Sequence, residues 1–424
     1  MNVIKYPKKE DWVEILKRPS LGDGMVNQAV LEVLDDVKKN GDAAISKYTN
    51  KFDHVLLNDF LVTPSEFNEA DQLVDSTLKK AIQTAKHNIE KFHSAQKASR
   101  KVIETTPGVF CWQKSVPIEK VGLYIPGGSA PLFSTVLMLG VPAKLAGCSE
   151  IILCTPPNKE GKVHPAILYT AKLIGLTRIY KIGGIQSIAA MAFGTETVPK
   201  VAKIFGPGNL YVTAAKQIVG MHGVAIDMPA GPSEVAIMAD KTAIPSFIAA
   251  DLLSQAEHGA DSQVILFTCT EEILDPILKE LEAQLEMLPR KEIARKALEN
   301  SKAIILSSLE EMLDITNEYA PEHLEIMTFK PKEIAEKLTA GLILLGPYTP
   351  VALGDYGSGT NHVLPTGGFA KSFSGLSTLD FMRRVSIVES SRTGLEGVKD
   401  NIRIMTEAEN LPNHYKAIQA RFEK

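Results

Sequence analysis

The chain has 424 residues, of which 45% are hydrophobic and 23% charged, and a net charge of −4. That length supports two to four globular units with sizeable cores, and that composition excludes extensive disorder and fibrous repeats. The slightly acidic balance offers no positive field for a polyanion, so nucleic acid is not expected as a partner.

The opening MNVIKYPKKEDW is basic but has no apolar run behind it, which does not make a secretory signal. Through the first hundred residues, apolar positions recur every three or four residues among Lys, Glu and Asp, as in Leu73 to Ser99, and predict helices with solvated faces. From Lys120 short β-branched runs alternate with helical ones: VGLYI, LFSTVLMLGVPAKLAG, EIILCTP, AILYTAKLIG, RIYKIGG, SIAAMAFGT, VAKIFGPG and LYVTAAKQIVG. A second series follows with EVAIMAD, IPSFIAADLLSQAEHG, SQVILFTC, a charged helix through Glu271 to Leu288, AIILS, LEEMLDITNEYA, HLEIMT and GLILLG. Strands that are apolar on both faces and joined through helices imply mainly parallel sheets covered on both sides. Two α/β units are expected, with the join at MPAGPS, Met228 to Ser233.

The uncharged stretch Val121 to Ala143 has the length of a membrane span. Pro126, Gly127, Gly128, Pro131, Gly140 and Pro142 interrupt it, so it reads as strand, glycine loop and buried helix, and no membrane partner is expected. From Pro347 to Thr378 the chain is dense in Gly, Ser, Thr and Pro, and a loop of that length within a compact protein points to function. Gly397 to Lys424 reads as helix, turn, helix, able to dock on its own chain or on a neighbour.

Three glycine-rich turns, IPGGSAP (125–131), IGGIQS (182–187) and FGPGNLY (205–211), each lie between a strand and a helix, where backbone N–H groups at a helix N-terminus suit an anion. None has the dinucleotide spacing GxGxxG, and ordinary βα turns account for them equally well. In DLLSQAEHGAD, Gln255 and His258 stand three apart on an expected helix, one face of which would present an amide oxygen and an imidazole to a metal ion. NEYAPEHLEI sets Glu322 beside His323 at the mouth of a strand, where both serve one site only if the backbone turns. LGDYGSGTNHVLPTGG presents Asp355 and His362 in the long loop, and EAENLPNHYK presents Glu409 and His414 around Pro412. Imidazole with carboxylate suits zinc or general acid–base chemistry. The other five histidines have bland readings: His54, His87, His93 and His164 in polar, surface-like contexts and His222 in a turn. Cys111, Cys148, Cys154 and Cys269 form no CxxC pair and read as thiols of a reducing compartment, the cytoplasm.

Taken together and in order, VGLYIPGGSAPLFSTVLM, FGPGNLYV, DMPAGPSE, LLSQAEHG, APEHLE and GDYGSGTNHVLPT closely resemble histidinol dehydrogenase. The resemblance runs from about Lys120 to the C-terminus and more loosely over the rest. It implies an α/β fold of two incomplete Rossmann-like units with parallel-rich sheets, similar to aldehyde dehydrogenases, and small helical terminal regions. The implied division is a main α/β domain of 19–123 and 233–376, a dinucleotide-side domain of 124–232, a dimerisation region of 1–18 and 377–400, and an arm of 401–424 reaching the partner's site.

The resemblance further implies a homodimer that uses one Zn2+ per subunit and NAD to oxidise L-histidinol through L-histidinaldehyde to L-histidine. Gln255, His258, Asp355 and His414 would bind the metal, with His414 arriving from the partner subunit. His323 would be the general base and Glu322 the activator of water. Ser233, His362 and Glu409 would line the substrate pocket together with His323 and the metal-binding residues, while Tyr124, Gln186 and Asn209 would contact NAD. Two further readings are compatible with the motifs: a zinc hydrolase built on His258, Asp355 and His414, and a two-lobed α/β ligand-binding protein.

Overall fold

Every apolar run from VGLYI onward forms a strand or a helix in the computed structural model of the chain, which describes residues 1–19, 23–97, 100–127, 131–228 and 231–423. Gly128, Ser129 and Ala130 of the first glycine turn, Pro229 and Ala230 of the join, and Ser99 and Lys424 at the ends of two expected helices lie outside the described residues.

A five-stranded sheet, parallel throughout, has the order Arg178–Lys181, Glu150–Thr155, Lys120–Tyr124, Lys203–Phe205, Ala225–Ile226. One face is covered by the helices Phe133–Ala146 and Pro165–Leu173, with Pro64–Leu73 and Ser76–Ser94 packed outside them. The other face is covered by Gly184–Phe193 and Leu210–Gly220, against which the long helix Asp23–Asp53 lies. Covered on both sides, the strands are apolar through their middles, which is why they read as runs rather than alternations.

A six-stranded sheet, also parallel, has the order Asn2–Lys5, Lys302–Ile305, Gln263–Thr268, Glu234–Ala239, His323–Met327, Leu342–Leu345. Its two cores sit beneath the helix Pro245–Ala256 with its neighbours and beneath Leu309–Tyr319. A third, antiparallel sheet joins Val102–Thr106, Val109–Pro117 and Met382–Ser390, and the helices Arg392–Ala408 and Pro412–Gln419 pack against it and each other. The uncharged stretch at 121–143 resolves into the strand ending at Tyr124 and the helix beginning at Phe133, and no helix among the described residues is long and apolar enough to cross a membrane.

Two terminal stretches expected in helical regions are strands. Val3-Ile4 is a β-branched pair that completes the edge beside Lys302–Ile305, and Val385 and Ile387 alternate with polar residues opposite Val109–Pro117. The expected helix Leu73 to Ser99 starts only at Ser76, because the Asp75 carboxylate accepts the Thr77 and Leu78 N–H groups and caps it there.

Candidate active site

The chain leaves the C-terminal end of the strand Ala225–Ile226 at Asp227 and enters the N-terminal end of Glu234–Ala239 from Ser233. This connection ties the C-terminal edge of the five-stranded sheet to the N-terminal edge of the six-stranded one. Most of the expected site residues lie on these two edges.

His323 opens its strand opposite Val235 and Leu342 and is buried. Its Nδ1 donates to the Glu234 carbonyl (3.3 Å) and its Nε2 meets Asp355 Oδ1 (3.2 Å). The chain bends at Glu322, so the two neighbours share one space: Glu322 Oε2 is 3.6 Å from His323 Nδ1 and accepts the Glu234 N–H (2.8 Å). The bend follows Ala320, a non-glycine residue at φ 47° that closes the helix Leu309–Tyr319, and strain of this kind collects at functional sites. Burial alone would lower the His323 pKa, but Glu322 and Asp355 outweigh it and hold the ring protonated well above its ordinary value. Asp355 is held below the usual carboxylate range, burial being overcome by the His323 ring.

Asp355 lies on a wide helical turn, Leu353–Gly357, within the long loop. Glu325, two residues beyond His323, anchors its start by accepting the Val351 N–H (2.8 Å), and Asn88 anchors its end by donating to the Gly357 carbonyl (2.8 Å). His362 Nδ1 lies 3.2 Å from the Asp355 carbonyl and its Nε2 3.3 Å from Thr135 Oγ1, so it bridges the loop to the helix Phe133–Ala146 of the other sheet. Burial lowers the His362 pKa.

Gln255 sits at the end of Pro245–Ala256, a helix that returns antiparallel to its strand. It is 1% exposed, and both polar atoms of its amide lack a partner among the described residues. Asp251, four residues earlier and about 6 Å back along the helix, interacts electrostatically with Glu325. His323 is two residues, or about 6.6 Å, back along the strand from Glu325, so Gln255 stands level with His323. Burial pushes the Asp251 and Glu325 carboxyls upward.

His258 is not on the helix, which stops at Ala256; it stands exposed in the following turn, its N–H bonded to the Gln255 carbonyl (3.2 Å), and it contributes to lowering Asp355. Ser233, directly before Glu234, is half-buried and its carbonyl accepts the Gln263 N–H. Glu409 and His414 are exposed on the C-terminal arm, and the fold does not bring them to the other residues of their own chain. Among the described residues no three His, Cys, Asp or Glu side chains form a metal-holding group. The donors in place are instead an orphaned buried amide at Gln255, the Asp355 carboxylate and an open imidazole at His258, a set that suits a divalent cation still needing a further ligand.

At the C-terminal edge of the five-stranded sheet lies a cavity of about 820 Å³ whose walls include Tyr124, Gln186 and Asn209. Burial pushes the Tyr124 hydroxyl up to about 12, and its oxygen accepts the Gly184 N–H (3.3 Å). Asn209 caps Leu210–Gly220 by accepting the Val212 N–H (3.1 Å). Gly206 before it has φ +127°, and a Cβ there would collide with the Tyr124 carbonyl, so only glycine lets this turn close on the central strand. The buried Lys216–Asp227 pair grips the same glycine: Lys216 Nζ donates to its carbonyl (2.7 Å) and Asp227 accepts its N–H (2.7 Å). Pro131, in the cavity wall, is four residues from Thr135 and hence from His362.

Sequence reasoning missed several supports. His93 is completely buried rather than at the surface, bonding Gln96 Oε1 through Nδ1 (2.9 Å) and Asn361 Nδ2 through Nε2 (3.4 Å), and so it steadies the residue next to His362. Its spacing from Ile82 and Ile89 on one helical face was the available signal. Glu234 holds Glu322 and His323 with its backbone while its carboxylate takes a forked bond from Arg18 (2.6 and 2.9 Å) and the Gly367 N–H (2.7 Å). Nothing local in the sequence marks that contact.

The family model described as histidinol dehydrogenase matches residues 16–422. Histidinol dehydrogenase of Bacteroides thetaiotaomicron is 54% identical over 422 residues, covering 99% of each chain, and that of Bacteroides fragilis is 52% identical over 425 residues, covering 100% of this chain and 99% of the relative. The crystal structure of histidinol dehydrogenase from Elizabethkingia anophelis superposes with a TM-score of 0.97 at 51% identity, covering 100% of this chain and 98% of that one. With an α/β architecture of two parallel sheets, a Glu-His pair and carboxylate at their junction, and full-length similarity of this order, the chain belongs to the histidinol dehydrogenase family.

Proposed function

We propose that this enzyme of histidine biosynthesis oxidises L-histidinol in two hydride transfers, through L-histidinaldehyde, to L-histidine, using NAD and one zinc ion per subunit of a homodimer. The observation that carries the reading is the junction itself: a Glu-His pair, a carboxylate and an orphaned buried amide lie on one edge, with an 820 Å³ cavity on the other. When bound, zinc at Gln255, His258 and Asp355, completed by the partner subunit's His414, supplies a handle for the imidazole and amine nitrogens of the substrate, and NAD supplies the hydride acceptor.

The rest falls to the chain. An alcohol releases hydride only as its proton leaves, so a base must stand within about 3 Å of the hydroxyl. His323 Nε2 is that base. In the described arrangement it shares its proton with Asp355, and commitment of Asp355 to a cation removes one of the two carboxylates that retain the proton. The Nδ1–H bond to the Glu234 carbonyl fixes the tautomer that leaves Nε2 facing the substrate. Oxidation of the aldehyde needs a second oxygen on carbon. Glu322 takes a proton from water, the hydrate forms, and His323 again removes the hydroxyl proton. His362 and Ser233 flank the same space, and the positions of Glu409 and His414 on an exposed arm suit donation to a second copy. Val102, Ile103, Val388, Ile404, Met405 and Leu411, exposed on the third sheet and the arm, give that copy an apolar surface to cover. Four free cysteines suit a cytoplasmic setting.

Half-reaction kinetics test the assignment. Glu322→Gln is expected to spare alcohol oxidation while slowing aldehyde oxidation about a hundredfold, and His323→Asn to slow both by about a hundredfold or more. Equal losses in the two half-reactions of Glu322→Gln would remove its role. Mixing inactive Gln255→Ala and His414→Ala subunits is expected to restore partial activity in the heterodimer, and verified heterodimers without activity would place each site within one chain.

A further inference from the structure

The cavity carries more polar machinery than Tyr124, Gln186 and Asn209. In a parallel sheet of this strand order, the acid that meets the ribose 2′-hydroxyl of a dinucleotide normally lies near the end of the second strand. Here that strand ends in Thr155-Pro156-Pro157, with no acid. Two acids stand in the cavity wall, Glu32 and Asp53, both from the long helix Asp23–Asp53; Glu32 is exposed and accepts from Gln28, whereas Asp53, the last residue of the helix, is half-buried beside Gln186.

Asp53 is half-buried, and among the described residues its one side-chain hydrogen bond is a long one from Gln186 Nε2 (3.5 Å). Gln186 and Thr155, both completely buried and both in the same wall, leave Gln186 Oε1 and Thr155 Oγ1 without partners among the described residues. A carboxylate, an amide oxygen and a hydroxyl thus stand in one cavity wall short of partners, and buried polar atoms of this kind imply a missing partner. A vicinal diol supplies two O–H donors. Placement says which diol. His362 and Thr135 lie on the sheet face covered by Phe133–Ala146, so the reacting ring belongs at the Pro131 side; Asp53 and Gln186 lie on the opposite face, with Gly184–Phe193.

We propose that Asp53, with Gln186 and Thr155, receives the 2′- and 3′-hydroxyls of the adenosine ribose and so selects NAD over its 2′-phosphorylated counterpart. This rests on the reading of the cavity as the NAD site. A 2′-phosphate brings nearly two negative charges against the Asp53 carboxylate and removes the donor it needs. Lys51 and Lys159 also line the cavity but are exposed, where their charges are screened by water.

Calorimetric titration of the full-length protein without histidinol tests this apart from turnover. The wild type is expected to bind NAD about a hundredfold more tightly than NADP. Asp53→Ala is expected to weaken NAD at least about tenfold, the loss of one hydrogen bond to a charged acceptor, without weakening NADP. It should also bind 2′-deoxy-NAD as the wild type does. Thr155→Val, of the same shape, is expected to weaken NAD severalfold and keeps the test valid if Asp53→Ala fails to fold. An unchanged NAD-to-NADP ratio in both variants overturns the selection role and leaves the NAD reading standing, whereas a wild type that binds neither dinucleotide overturns both.

Discussion

Replacing Arg18 by Met would leave Glu234 as a carboxylate in the core beneath Glu322 and His323. The guanidinium makes three bonds, to the two Glu234 oxygens at 2.6 and 2.9 Å and to the Tyr319 carbonyl at 2.7 Å, and lies 4.0 Å from the centre of the Tyr319 ring. The Arg18 side chain is 24% exposed and that of Glu234 4%, so water replaces little of this. Removing one partner of such a pair costs about 3–5 kcal/mol, because the other charge stays buried. For a chain of 424 residues with unfolding entropy of roughly 2.1 cal/mol/K per residue, a single thermal transition would fall by about 4 °C. The loss must also depend on pH. Burial raises the Glu234 pKa even with Arg18 present, and without that cation it rises further. The variant's folded state then binds a proton that the unfolded state has released, so its stability declines as pH rises above the ordinary glutamate value, and the deficit is larger at pH 8 than at pH 5. Scanning calorimetry at the two pH values measures it. Arg18→Met/Glu234→Gln, with no charge left to desolvate, is expected to regain at least half the loss. A deficit below about 1 kcal/mol, well short of a broken buried pair, or one identical at both pH values, would refute the reasoning.

Gln255→Met replaces an unpartnered buried amide with an apolar side chain of similar length, so the chelated protein is expected to gain about 1–2 kcal/mol in melting experiments while losing zinc retention; destabilisation under chelation would mean that the amide is satisfied. Asp53→Asn addresses a carboxyl that burial pushes up to about 6. A raised acid pKa costs the folded state stability as pH climbs from about 4 through 6, so the variant is expected to melt higher at pH 8 by no more than about 1 kcal/mol, after allowance for partial exposure, and to match the wild type at pH 4. A gain that does not depend on pH would contradict that origin.

Local patterning made the elements legible because the inner strands of the two parallel sheets are apolar on both faces and the covering helices are either striped, as Leu274–Met287 is, or buried all round, as Phe133–Ala146 is. The same logic fails where pairing is remote. Met382–Ser390 is mostly exposed and lies opposite Val109–Pro117, more than 260 residues away in sequence, so its weak alternation carries little signal by itself. The surface reading of His93 fails for a related reason: with Lys91 two residues before it and Ser94 after it, it looks solvated in sequence, but helical spacing turns it inward with Ile82 and Ile89.

The site divides along the same line. Residue types with steep chemical preferences, such as the adjacent Glu322 and His323 or the Asp355 of a glycine-rich loop, were visible because carboxylate and imidazole in turn settings have few structural uses. What holds them was not visible. Adjacent residues on a strand face opposite ways, and only the bend at Glu322, entered through the left-handed Ala320, lets both side chains reach one space. That bend is stabilised by one residue on another strand, Glu234, whose N–H fixes Glu322 and whose carbonyl fixes His323. The residue that balances the Glu234 carboxylate comes from Arg18, 216 positions earlier. Such a chain of contacts has no period and no composition, and it follows only from the parallel register that sets His323 beside Val235 and so brings Glu234 level with Glu322 and His323.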